Sequence, residues 1–310
     1  MITMLLAGFA AVLAAGVPRV LARARWPYRA PRLGVLAWQA TGVAALTATV
    51  AASSAALLHY RPTRSLLPGM RRLCLDALSG AHGRPGQAMA VTGLGMLTVM
   101  AVRLVAGTTR LAAVFRWRRR HRRLLGMIGI PRADLGATVL THPDPVAYLL
   151  PGWPDRVVVT TGALTRLPEP ELDAVLAHER AHAAGRHHRA CAAAGVLHHA
   201  YPSIPIFAHA HRQITRLVEL CADEAAARTQ SRLALARALV TMAEAAATPA
   251  AVLHAGGGDA AERVIRLLQP PRPLSTGARL AVVLGFTGLP LVPLLLLALE
   301  PLAHLTAFAW

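Results

Sequence analysis

The string AVLAHERAHAAG places His178 and His182 four residues apart, with Glu179 directly after the first. On a helix, side chains four apart leave the same face one turn apart, so two imidazoles can converge on one metal ion. Glu179 is then placed to reach a water on that metal without being a ligand. A catalytic zinc needs a third protein ligand and an open fourth position. The segment RLVELCADEAAAR offers Glu219, the first carboxylate after Glu179, with Asp223 four residues further on the same face. We read Glu219 as the third ligand. Asp223 then serves as an acceptor that fixes the ring of one histidine through its distal N–H.

This donor set implies metal-assisted hydrolysis of a peptide bond. Two neutral imidazoles and one carboxylate leave the ion net positive, which acidifies bound water and polarises a carbonyl. Glu179 accepts the water proton and passes it to the leaving amine. An oxyanion donor is also required. By residue type, Tyr201, His211, Arg212 and Arg216 are the candidates.

The elements that must position these residues can be read from pattern. A helix is expected over 168–184, with Glu169, Glu171 and Asp173 near its positive end and Gly185 at its close. Leu172, Val175 and Leu176 give it an apolar face. Further helices are expected over 212–228 and 231–247. Before them, AYLLPGWPDRVVVTT reads as a hairpin pairing 147–150 with 156–161. Either hairpin strand, near 147–150 or 157–160, is expected to offer an edge to which substrate adds as a strand. AGGGD near residue 257 reads as a flexible loop. Lacking a Lys, it is no phosphate loop.

Composition sets the frame. The 310-residue chain is 55% hydrophobic and 15% charged, and all 33 of its basic Lys/Arg positions are Arg. Soluble domains carry about 25% charged residues, so much of this surface is expected to face lipid. Apolar segments at 2–17, 33–58, 87–109 and 280–299 read as four transmembrane helices. A signal peptide is not expected at the start, because MITML carries no positive charge. Arginines crowd 18–32, 103–123 and 272–279, while a competing set lies in 59–87. The balance puts the central region in the cytoplasm and both termini outside.

Three cysteines without CxxC spacing suggest no disulfide framework. Cys221 reads as a small buried residue, and His187 and His188 as a solvated helix end. FRWRRRHRR, just after a span, reads as a lipid-headgroup anchor, and no direct nucleic acid binding is expected.

The hairpin, LPEPELDAVLAHERAHAAGRHH and RLVELCADEAA together resemble the gluzincin membrane peptidases. The similarity covers roughly 141–268 for motifs and the whole chain for topology. Two types compete. The BlaR/MecR type places three spans before the HExxH domain and one after. The HtpX type places two before and a span pair after the HExxH helix. Because 189–210 reads as an interfacial segment, the three-plus-one pattern favours the BlaR/MecR type.

The expected fold is mainly α: a polytopic membrane protein of the cell membrane with about four transmembrane helices and a cytoplasmic zincin-like α+β peptidase domain. Its divisions fall at 1–109 (three spans), 110–277 (peptidase) and 278–310 (fourth span and tail). The resemblance implies one zinc ion per chain and a protein or peptide substrate, in regulated proteolysis of a BlaI-like transcriptional repressor. The alternatives are an HtpX-like quality-control protease and a signalling scaffold with a silent zinc site. The β-lactam-sensing receptors also carry a penicillin-binding domain after the fourth span. This sequence ends at Trp310, so direct antibiotic sensing is not expected of it.

Overall fold

The computed structural model describes residues 2–58, 85–246 and 257–307. The arginines expected to oppose the topology, in 59–84, lie outside these residues.

Helix α1 (Ile2–Ala11) passes through a π-helical turn at Val12–Gly16 into α2 (Val17–Arg23). A short α3 (Trp26–Arg29) leads into α4 (Pro31–Leu58). The basic segment 18–32, between the first two expected spans, is therefore mostly helical. Pro18 follows directly on the π-helical turn, whereas Pro27 falls in a first turn and Pro31 opens α4. At the latter two positions a missing N–H costs nothing.

Helix α5 (Pro85–Ile128) is 44 residues long and has no proline after its first position. It runs unbroken from the third apolar segment through the basic run FRWRRRHRR. Among the described residues, four stretches are long and apolar enough to cross a membrane: Ile2–Arg23, Pro31–Leu57, Gln87–Ile128 and Thr276–Leu299. The last comprises α12 (Thr276–Gly288), a 3-10 turn at Leu289–Leu291 and the start of α13 (Val292–Ala307).

Beyond α5 come β1 (Ile130–Arg132), β2 (Ala137–Leu140), β3 (Ala147–Leu150) and β4 (Arg156–Thr160). They form one sheet in the order β1-β2-β4-β3. The hairpin forms with Ala147 opposite Val159 and Leu150 opposite Arg156. Because β4 also pairs in parallel with β2, its second edge is occupied. The expectation that either strand could accept a partner is corrected to β3 alone.

Helix α6 (Thr161–Arg166) is capped by the Thr160 hydroxyl, which accepts the Ala163 N–H. Helix α7 (Glu169–Ala184) lays Leu172, Val175 and Leu176 against Val157 and Val159 of the sheet. Helices α8 (His187–Ala200) and α9 (Pro205–Ala226) follow as a helical pair, then α10 (Arg232–Ala246) and α11 (Gly257–Leu268). The described part of AGGGD, Gly257 to Asp259, is the first turn of α11 rather than a loop.

The segment 189–210, expected to be interfacial, is helical over most of its length. This region is most of α8, a tight turn and the start of α9. The Tyr201 hydroxyl donates to the Met100 carbonyl at 2.9 Å, midway along the apolar part of α5. Leu21, Trp38, Ala200, Phe207, Ile214 and Leu217 share one buried cluster, so α9 is wedged among the apolar helices. Two glycines permit this closeness. A Cβ on Gly34 would meet Leu217 at 2.9 Å, and one on Gly107 would meet the Val196 carbonyl at 2.9 Å.

Candidate metal centre

Helix α7 carries His178 and His182 on the face next to its sheet-packed stripe. Their Nε2 atoms lie 3.1 Å apart. Helix α9 crosses α7 and brings Glu219 to both rings. One carboxylate oxygen is 3.5 Å from His178 Nε2 and the other 3.5 Å from His182 Nε2. Glu219 can take this place because Leu217, Val218 and Leu220 are buried and fix the rotation of α9. Among the described residues, these three form the one group of His, Cys, Asp or Glu side chains able to hold a metal ion.

The donors fit zinc. Nitrogen and oxygen atoms about 2.0–2.2 Å from a tetrahedral centre stand about 3.3–3.6 Å from one another, and the observed separations are 3.1, 3.5 and 3.5 Å. Two imidazoles and one carboxylate also leave a fourth position open.

Asp223 lies one turn beyond Glu219 with only 3% of its side chain exposed, and its Oδ1 is 3.0 Å from His178 Nδ1. It therefore stands where a carboxylate would fix the ring. Burial opposes charge on His178, but Asp223 and Glu219 outweigh it and raise the ring's pKa to about 9. Burial alone would raise the Glu219 carboxyl. The two imidazoles and then Arg263 overcome that and hold it well below the usual carboxylate range.

Glu179 points toward the sheet. Burial raises its pKa, while His178, His182 and the Leu149 backbone of β3 pull the other way. A carboxylate shifted upward in this way is better matched to accepting a proton near neutrality.

Two participants escaped the sequence reading. Arg263 on α11 donates to both oxygens of Asp223, at 2.7 and 2.8 Å, and its Nη1 is 3.1 Å from Glu219. Its Nη2 lies 3.5 Å from His178 Nε2. No fixed spacing ties Arg263 to the HExxH helix, and the glycines before α11 disguised that helix as a loop. The other is His187, set aside as a solvated helix end. Arg186 adopts a left-handed conformation (φ 50°) between α7 and α8, and the chain doubles back. His187 Nδ1 thereby comes 3.1 Å from His182 Nδ1. Burial, then the His182 charge, lower the His187 pKa to about 4, so near neutrality the ring is uncharged. Its imidazole occupies the space a side chain at Gly185 would need.

None of the four residues chosen by type as oxyanion donors belongs to the metal-holding group. The Tyr201 hydroxyl is bonded to Met100. His211 stacks on His198 with ring centres 5.4 Å apart. Arg212 is exposed. Arg216 lies over the Tyr28 ring, bonds its hydroxyl and pairs with Asp259 and Glu262. Cys221 is buried, and that burial pushes its thiol up to about 12, which makes it no nucleophile.

The sequence model of peptidase family M48 matches residues 115–271. That is half of the chain, from the basic part of α5 through α11, and it contains every residue of the metal-holding group. The chain belongs to peptidase family M48. M48 peptidases are metal-dependent, in keeping with the His178–His182–Glu219 group. No curated protein and no solved structure matches the chain.

Proposed function

We propose that this M48 chain is a membrane-embedded zinc endopeptidase in which His178, His182 and Glu219 hold the metal. The observation that carries this reading is the approach of two Nε2 atoms and the Glu219 oxygens across the α7–α9 crossing, with Glu179 beside them. Bound zinc supplies a Lewis acid that lowers the pKa of water and polarises a carbonyl. Glu179 accepts the proton of the attacking water and returns it to the leaving amine. Asp223 orients His178, His187 orients His182, and Arg263 holds both carboxylates in place. Substrate lies extended along the free edge of β3, adjacent to Glu179.

Regulated proteolysis, with a BlaI-like repressor as substrate, is supported by the resemblance and by three candidate spans preceding the HExxH helix and one following it. One observation favours the HtpX-like, quality-control reading. Directly after the HExxH helix, α8 and α9 form a helical pair whose connecting turn lines a cavity with Ala45 and Thr49 of α4 and Met96 of α5.

The test is zinc content alongside hydrolysis of casein by the detergent-purified full chain. We expect about one zinc per chain, activity abolished by a chelator, and recovery when zinc is returned. Zinc-loaded protein without peptidase activity would leave only the silent-site alternative. A second expectation follows from His178, which carries a proton below about pH 9 when the metal is absent. Zinc must displace that proton, so apparent affinity should rise by up to about tenfold per pH unit between roughly pH 6 and 9. Titration calorimetry in two buffers of different ionisation enthalpy measures the proton released.

A further inference from the structure

A second site lies where α8 runs alongside α5. The two helices touch at Gly107 and Val196 and enclose a cleft of about 250 Å³. Its α5 wall is a single stripe, Arg110, Val114 and Arg118 at four-residue spacing, with Leu111 beside it. Its α8 wall includes His188 and Val196. The walls are thus largely apolar, and four basic side chains line them, Arg110, Arg118, His188 and His199.

The first three of those basic groups are unsatisfied. Arg110 and Arg118 pair with no carboxylate among the described residues, whereas Arg216, Arg263 and Arg266 each hold one. His188 Nδ1 is buried without a hydrogen-bond partner among the described residues, and leaving such an atom unpaired is unfavourable. The cleft begins where the apolar part of α5 ends. Phe115 and Trp117, 49% and 62% exposed just beyond, are residues suited to a membrane–water boundary.

We propose that this cleft binds one anionic phospholipid. Arg110, Arg118 and His188 hold its phosphate, and Leu111, Val114 and Val196 cover the first methylenes of an acyl chain. Free phosphate would satisfy the cations but leave the apolar walls wet, and a zwitterionic lipid would leave the two arginines unbalanced. His188 directly follows His187, so an occupied cleft also steadies the turn that brings His187 to His182. The inference rests on the membrane-embedded reading above.

The test is native mass spectrometry of the detergent-solubilised full chain titrated with phosphatidylglycerol, phosphatidylcholine or inorganic phosphate. We expect one phosphatidylglycerol retained per chain, no comparable retention of phosphatidylcholine, and no displacement by inorganic phosphate. At about 1 kcal/mol per arginine, the double variant Arg110→Gln/Arg118→Gln should bind roughly 30-fold more weakly. The control Arg116→Gln/Arg120→Gln removes the same charge from the exposed side of the same run and should bind as the parent does. Equal weakening in both pairs would reduce the effect to diffuse charge and overturn the site, as would displacement by phosphate. Zinc content and melting temperature, unchanged in both pairs, verify folding. Alkaline carbonate extraction separates the two readings. A chain released from membranes refutes the embedded reading, and an integral chain without selective retention refutes the cleft alone.

Discussion

Replacing Glu179 with Gln should leave zinc bound and lower kcat/KM for peptide hydrolysis by about 10²–10⁴-fold, the range a positioned general base contributes. The substitution keeps the size of the side chain and its capacity to accept from the Leu149 backbone, so the fold has no reason to change. It removes only the capacity to take a proton. Glu179 shares α7 with His178 and His182, but it is turned toward β3 while they face α9. Zinc content should therefore stay at the parental level. Steady-state kinetics with metal analysis on the same sample decides the matter. An unchanged rate would remove Glu179 from the mechanism, and lost zinc would mean that its carboxylate holds metal.

Glu219→Gln should have the opposite signature, losing the metal first and the activity as a consequence. Structural zinc sites contribute about 10–16 kcal/mol over four ligands, so one ligand is worth roughly 3 kcal/mol, or about 10²–10³ in affinity. The local charge makes the loss worse. Arg263 Nη1 lies 3.1 Å from Glu219 and its Nη2 3.5 Å from His178 Nε2. Without the carboxylate, the guanidinium and the proton-attracting His178 would confront an incoming cation, with Asp223 and Glu179 left to offset them. Competition against a fluorescent zinc chelator measures the change. If the variant keeps parental affinity, Glu219 is not a ligand. Excess zinc should restore part of the activity of this variant and none of that lost in Glu179→Gln.

Much of the scaffold could be read from residue order because its signals are local. Three acidic residues, an apolar stripe at helical spacing and Gly185 placed α7 to within one residue, and β-branched Val157 to Thr160 announced β4. The failures were also physical. Helix α9 begins seven residues before the expected start, with Pro205 as its opening residue, where proline is at home. Strands β1 and β2 are three and four residues long, and β2 pairs with β4 in parallel across the chain. No short-range pattern encodes such a pairing. Histidine spacing pointed to the metal face, but Arg263 and His187 reach it through a distant helix and a left-handed turn. Those approaches exist only after folding. The four oxyanion candidates were chosen by residue type, which says nothing about direction.

The wedge that α9 drives among the apolar helices has a bearing on how this enzyme can be handled. The N-terminal half of α9 is anchored by Trp38 and Leu21, while its C-terminal half carries Glu219 and Asp223. Cutting the chain at residue 109 to free a soluble catalytic fragment would bare that anchored half to water and release the rotational constraint on the carboxylates. The metal-holding carboxylate and the apolar helices are thereby joined in one rod. A tilt imposed on α4 by its surroundings would be felt at the metal within a single helix length.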